Sequence, residues 1–395
     1  MNARRLLLLT VVAIVLVASA LWLLGERRIG QELADTGALL PELMAQINEV
    51  DRIVLGGAGG RTPVTIERGQ DTWSVAQRNG FDADAAKIRA LLLALARAQR
   101  IEAKTANPEL HGRLGVEDLA AEDATGIGVE IGGVDFSHSL IVGHGRTRGK
   151  GSYVRLADQP QAWLVDVALA PERDPARWIE RDLVDIAIQR IATVQIEHAD
   201  GTGTQIRSRD DGRRFELADL PPDRQPESDY AAEASAGLLA SLRIDDVHPA
   251  DAAPGQEQPR TRARFTTVEG IVIELEGWQD EGRTYARLDA GLDEALAAAY
   301  VEAFEPAAGA EAEAEAEAEA GAGAEAEAED GIEPDEGAAV APTQTDGSAP
   351  RRTLDDLRAE AARLDARFEG WVFELPGFKG SNLMKTREDY LAPRE

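Results

Sequence analysis

Apolar and polar positions alternate with period two in short runs separated by turn residues, and this pattern occurs twice along the chain. In the first copy Val50-Asp51-Arg52-Ile53-Val54-Leu55 is followed by a glycine-rich turn (Gly56, Gly57, Gly59, Gly60) and Val64-Thr65-Ile66-Glu67-Arg68. A Gly69-Gln70-Asp71 turn then leads to Thr72-Trp73-Ser74-Val75. In the second copy Ile191 to Ile196, a Gly201-Thr202-Gly203 turn and Thr204-Gln205-Ile206-Arg207 repeat the order, and Asp210-Asp211-Gly212 precedes Arg214-Phe215-Glu216-Leu217. Alternation broken by glycine and aspartate predicts antiparallel hairpins.

A helical period follows each hairpin set. Asp82 or Asp84 is placed to cap the first helix, whose stripe is Ile88, Leu91, Leu92 and Leu95. Ser228 or Asp229 is placed to cap the second, with Leu238, Leu239 and Leu242 as its stripe. More strands complete each copy: 128–131, 138–142, 152–156 and 162–165 in the first, and 264–268, 271–275, 284–288 and 370–374 in the second. A helix over 354–368 precedes the last strand. Tyr-x-Arg-Leu recurs at Tyr153 and Tyr285, and a closing Trp-apolar strand at Trp163 and Trp371. The predicted class is α+β, with two tandem repeats of mainly antiparallel sheet carrying one packed helix each. The expected boundaries are an anchor at 1–28, repeats at 45–170 and 191–300, a bridge at 171–190, and a helix plus closing strand at 351–395.

Residues 6–24 hold no charge and only Thr10 and Ser19 as polar side chains. As a helix the run reaches about 28 Å, close to the roughly 30 Å hydrocarbon core. Arg4 and Arg5 precede it, so its N-terminus is expected on the cytoplasmic side. The expected location is a single pass in a bacterial inner membrane with the body in the periplasm. Ala18-Ser19-Ala20 also fits a signal-peptidase site, so cleavage is the rival reading. Both export the body.

Composition changes the picture in two places. The chain has no cysteine, which excludes a lipobox, disulfides and thiol catalysis. Its net charge of −29 is largely local, because 301–340 hold many Asp and Glu and no Lys or Arg. The Glu-Ala alternation there would stack like charges at i and i+4 in a helix, so a disordered insertion is expected over 301–350. The remaining mildly acidic surface argues against nucleic acid as a partner.

The order of these elements resembles the domain of unknown function 4340 family. The resemblance rests on the apolar N-terminal run, the hairpin ending in Trp73, the Gly80-Phe81-Asp82-Ala83-Asp84 entry to the leucine-rich helix and Leu114-Gly115-Val116. It continues through Leu140-Ile141-Val142-Gly143, Tyr153-Val154-Arg155, Trp178-Ile179-Glu180-Arg181-Asp182-Leu183 and Trp371-Val372-Phe373-Glu374-Leu375-Pro376. It implies a membrane-anchored protein associated with ABC-type export components, and it brings no catalytic residues.

Chemistry-bearing motifs are few. The five histidines (His111, His138, His144, His198, His248) include no i, i+4 pair and no H-E-x-x-H. His138 and His144 flank one strand with only Asp135 as an obvious further ligand, so no metal is expected. The loop Gly143 to Gly151 carries Arg146, Arg148 and Lys150, which makes it the candidate ligand or partner loop for phosphate or lipid headgroups. It is not a P-loop, and its plain reading is a strand connection. No cofactor and no enzymatic activity are expected. The function expected is an accessory protein that docks on ABC-type permease or ATPase subunits. The alternative is a periplasmic glycan- or lipid-binding module using a cleft between the repeats, and a hydrolase built from unrecognised carboxylates stands third.

Overall fold

The computed structural model describes residues 37–60, 63–70, 72–209, 212–228, 230–304 and 352–393. The expected anchor at 6–24, the Ala18-Ser19-Ala20 site, Asp71, the Asp210-Asp211 part of a turn, the Asp229 cap and residues 305–350 lie outside them. Among the described residues no helix is long and apolar enough to cross a membrane.

The chain divides into two compact units, residues 1–180 and 181–395, and the division falls inside the 171–190 stretch. On the first side of it Trp178 is buried, its Nε1 donates to the Glu172 carbonyl at 2.9 Å, and its own carbonyl accepts from Asp84 N at 2.8 Å. On the second side Leu183, Val184 and Ile186 are buried.

Among the described residues unit 1 holds helix α1 (Leu43–Gln46), helix α2 (Ala85–Arg97) and nine strands. These are β1 (Arg52–Gly56), β2 (Val64–Arg68), β3 (Trp73–Val75), β4 (Phe81–Asp82), β5 (Arg100–Ala103), β6 (Ile127–Gly132), β7 (Ser137–Gly145), β8 (Ser152–Leu156) and β9 (Ala162–Val165). They form one sheet in the order β4-β3-β2-β1-β6-β7-β8-β9-β5. Every pairing is antiparallel. Asp84 caps α2 by accepting from Lys87 N at 2.8 Å, and Ile88, Leu92 and Leu95 are buried on its stripe.

Unit 2 holds β10 (Asp182–Val184), β11 (Ile191–His198), β12 (Gly203–Arg209), β13 (Arg214–Leu217), β14 (Arg224–Pro226), β15 (Leu242–Arg243) and β16 (Asp246–Pro249). They are followed by β17 (Thr261–Thr267), β18 (Ile271–Asp280), β19 (Arg283–Leu292), β20 (Trp371–Leu375) and β21 (Leu391–Pro393). Its main sheet runs β13-β12-β11-β17-β18-β19-β20-β16, and β10-β15 and β14-β21 are separate pairs. Aligned on the Tyr-x-Arg-Leu strands β8 and β19, the two main sheets share one order. In both, a three-strand meander is followed by a helix, a strand that crosses to the far edge, and a four-strand meander. The repeat is therefore a repeat of topology.

The second copy departs from one helix per sheet. Among the described residues its helices are α3 (Ala231–Ala236), α4 (Glu294–Phe304), α5 (Leu354–Phe368) and α6 (Gly377–Leu383). The expected leucine-striped helix stops at Ala236. Leu238 and Leu239 sit in a 3-10 turn and Leu242 in β15, all three fully buried. Gly237 and Ser241, the latter at φ +46°, break the helical run, and the Asp185 carboxylate holds Ser241 N at 2.7 Å. The cap is Tyr230, without a side-chain hydrogen bond, rather than Ser228. The helix packed on β18 and β19 is α5, closed by a Thr353–Asp356 capping box. Helix α4 takes in residues 301–304, the first four of the stretch whose composition predicts disorder.

Two buried polar groups tie α6 and the C-terminus to the core of unit 2. The Lys379 ammonium donates to the carbonyls of Gly237, Leu238 and Ala240 at 2.9, 2.8 and 2.8 Å. Burial pushes its pKa down, and Asp185 opposes that shift. Tyr390 is buried with its hydroxyl 2.7 Å from Ser235 Oγ. Burial pushes its phenol from its ordinary 10.0 up to about 12. Between those values the folded chain keeps this proton and the unfolded chain sheds it, so stability falls as pH rises. Alkaline denaturation should therefore show a loss of about 3 kcal/mol across this window. Tyr390→Phe should lack that limb in urea melts taken at each pH. An unchanged pH profile in the variant would rule out Tyr390 as its source.

Candidate docking faces

Alternation gives most of the main sheet of unit 2 one apolar and one polar face. Along β17, Thr261, Ala263 and Phe265 are buried while Arg262 and Arg264 are exposed. Along β19, Ala286 and Leu288 are buried while Arg287 and Asp289 are exposed. The register places Glu197, Arg262, Glu276 and Arg287 in one row across four strands, with charges alternating in sign. The next row is Gln195, Arg264, Glu274 and Asp289. Arg264 and Glu274 meet at 2.5 Å, and Arg262 and Glu276 at 3.3 Å. Such exposed cross-strand pairs each contribute about 0.2–1 kcal/mol. Desolvation raises the Asp289 pKa, Arg287 lowers it, and Asp365, Glu274 and Glu276 raise it further. The face is concave, with a volume of about 680 Å³. It offers ordered donors and acceptors over five strands, a surface suited to recognition.

In unit 1 the same face is covered. The link from β5 to β6 spans 104–126, and within it Val116 packs on Ile141 and Ala162, with Leu114, Leu119 and Tyr153 around them. At Gly143 the cover comes so close that a Cβ would meet the Leu114 carbonyl oxygen at 2.2 Å. The corresponding link in unit 2, 250–260, is shorter and covers only one end of the sheet. There Trp278 stacks on Tyr285, Arg260 lies 3.7 Å from the Trp278 ring, and Ala253 and Val372 complete the cluster.

This difference accounts for the recurring Tyr-x-Arg-Leu. The tyrosine packs beneath the covering link in both units. The arginine is buried in one and exposed in the other. Arg155 donates through Nε to the Val116 carbonyl at 2.8 Å and through Nη1 to those of Ala157 and Gln159 at 3.3 and 3.1 Å. Arg287 lines the open face.

The sequence-selected residues lie elsewhere. Arg146, Arg148 and Lys150 form the exposed tip between β7 and β8, and none makes a salt bridge among the described residues. Arg146 N closes the loop on the Gly151 carbonyl at 2.9 Å. Gly151 is at φ +138°, and a Cβ there would meet the Val165 oxygen at 2.6 Å. His138 and His144 sit six positions apart on extended β7, about 20 Å at strand rise, and are not brought together. His138 Nε2 is 3.0 Å from Gln46 Oε1, and His144 Nε2 is 3.3 Å from Thr125 Oγ1. His111 is buried against the Pro160 carbonyl, and His198 is held by Thr261 and the Lys385 carbonyl. Among the described residues no three His, Asp or Glu side chains are grouped to hold a metal ion. Trp163, Trp178 and Trp278 are buried in unit cores, and no tryptophan lines the open face.

Comparison with known proteins agrees with the resemblance over part of the chain. Residues 73–260 match the family model described as Domain of unknown function (DUF4340). The match runs from β3 to the end of the link before β17. It takes in the Gly80 to Asp84 entry, the Tyr153 strand and the Trp178 to Leu183 segment. The apolar run at 6–24 and the Trp371 strand lie outside it. No curated protein and no solved structure gives a significant match.

The two arginines provide a test of the covered and open faces. Arg155→Ala should cost about 2–4 kcal/mol in urea denaturation, because three carbonyls lose their donor and a buried packing contact goes. Arg287→Ala should stay within about 0.5 kcal/mol. Equal losses would contradict the assignment of one face as covered and the other as open.

Proposed function

We propose that this chain is a non-enzymatic accessory protein anchored in a bacterial inner membrane by residues 6–24, with its body in the periplasm. It acts by docking on ABC-type permease or ATPase subunits of a transport or envelope-assembly complex. The observation that carries this reading is the uncharged apolar run at 6–24 ahead of a two-unit body. An anchor of that kind confines the body to the plane of its partner and raises its effective concentration there. The open polar face of unit 2 supports the docking part of the reading, since its alternating charges favour a complementary protein surface and disfavour a uniformly charged one.

Affinity purification of the full chain from native membranes in mild detergent, followed by mass spectrometry, tests this directly. Permease and ATPase subunits should be recovered reproducibly. Deleting residues 6–24 should leave the body folded by circular dichroism and abolish complementation of a null strain. A soluble exported body that still complements would overturn the anchored mechanism. Recovery of the intact protein alone from well-solubilised membranes would overturn the accessory role.

A further inference from the structure

The two main sheets share a strand order, but their meander edges end differently. In unit 1 the edge strand β3 is closed. β4 pairs with it, Gly80 N donates to the Val75 carbonyl at 3.1 Å, and Ala83 N donates to the Trp73 carbonyl at 2.7 Å. In unit 2 the equivalent strand is β13, since Ile206 faces Leu217 as Ile66 faces Val75. Beyond β13 the chain turns away, and β14 pairs with β21 instead. Among the described residues β13 is the outermost strand of the sheet.

The register identifies which groups face outward. Ala218 N donates to the Gln205 carbonyl at 2.8 Å, so residues 218, 216 and 214 direct their backbone groups at β12. Phe215 and Leu217 direct theirs away from it. They are the counterparts of Trp73 and Val75, whose carbonyls are bonded in unit 1. A free edge of this kind is a template for another strand.

We propose that β13 pairs with β13 of a second copy of this chain, antiparallel and centred on Phe215. The charge pattern selects this occupant. In that register Phe215 lies opposite its own copy as a hydrogen-bonded pair. Arg214 lies opposite Glu216 of the second copy, and Glu216 opposite its Arg214. A uniformly acidic strand would place a like charge against Glu216, and a uniformly basic one against Arg214. Glu216 is already held on its face by Arg207 and Arg209, at 2.8 and 3.0 Å. The groove along this edge has a volume of about 710 Å³ and is lined by two exposed apolar side chains, Tyr230 (73%) and Leu220 (42%). Pairing gives an isologous interface, the closed two-fold arrangement commonest among homo-oligomers. It is independent of the docking function proposed above.

The absence of native cysteine makes a register-specific test direct. Full-length Arg214→Cys and Glu216→Cys chains, differently tagged, are mixed in mild detergent and oxidised. Opposed residues in a non-hydrogen-bonded pair have close Cβ atoms, within reach of a disulfide, whereas each variant alone places its cysteines diagonally. The mixed sample should cross-link at least about tenfold more than either variant alone. Leu217→Pro removes an outward N–H without touching the β12 ladder, so it should keep the fold and lower the dimer fraction about fivefold. Equal cross-linking in all three samples overturns the register. Sedimentation of the wild-type chain as a monomer across the concentration range overturns the pairing itself.

Discussion

In an antiparallel sheet successive side chains point to opposite faces, and every interior strand has its backbone groups satisfied by two neighbours. A broad sheet therefore leaves only two things open, its second face and its edges. Most of what distinguishes the two units of this protein follows from how each disposes of these. Both sheets bury one face with Val, Ile, Leu and Phe. Unit 1 covers its second face with the 104–126 link and closes its meander edge with β4. Unit 2 leaves most of its second face to water and ends on β13.

The same strand order thus carries two different surfaces. Arg155 and Arg287 occupy equivalent positions, yet one donates to three carbonyls beneath a cover and the other stands in a charged row. Length of the preceding link separates them. The 104–126 segment is long enough to lay Val116 and Leu119 over the sheet, while 250–260 reaches only Trp278 and Tyr285. Where the cover stops, alternation supplies Glu276 opposite Arg287, in the place that Ile141 holds opposite Arg155. Unit 1 is closed on the sides that unit 2 leaves open.

Most strands were legible because each lies between turn residues and alternates. β2, β8, β9 and β13 coincide with their predicted limits, as does helix α5, the other predicted strands shift by a few residues at their ends, and β4, β5, β10, β14, β15, β16 and β21 have no counterpart in the alternation, each being only two to four residues long. The Tyr153 and Tyr285 motifs were visible, but their meaning was not, since burial of the arginine depends on a link remote in sequence. The second helix is shorter than its leucine spacing predicts. Leu238, Leu239 and Leu242 have a helical spacing, but Gly237 and Ser241 divide them between a turn and a strand, each leucine reaching the same core from a different element. Helices α4 and α6 went unread, because an alanine-rich run beside the acidic tract and a glycine-flanked heptad give weak periodic signals.

The candidate loop at Arg146, Arg148 and Lys150 was conspicuous for its charge, and the structure makes it an exposed hairpin tip. Net charge and glycine content are local quantities, so they mark a loop without showing what faces it. The amino-acid sequence by itself determined the class of fold, the presence of two copies, and the alternation that gives each sheet an inside and an outside, because these follow from periodicity and turn chemistry within a few residues. Only the tertiary structure decided that the copies share one strand order, that the cross-strand charges of β17, β18 and β19 fall into rows, and which face and which edge stay open. Those depend on register and on how far a connecting segment reaches, quantities set by contacts between residues far apart in the chain.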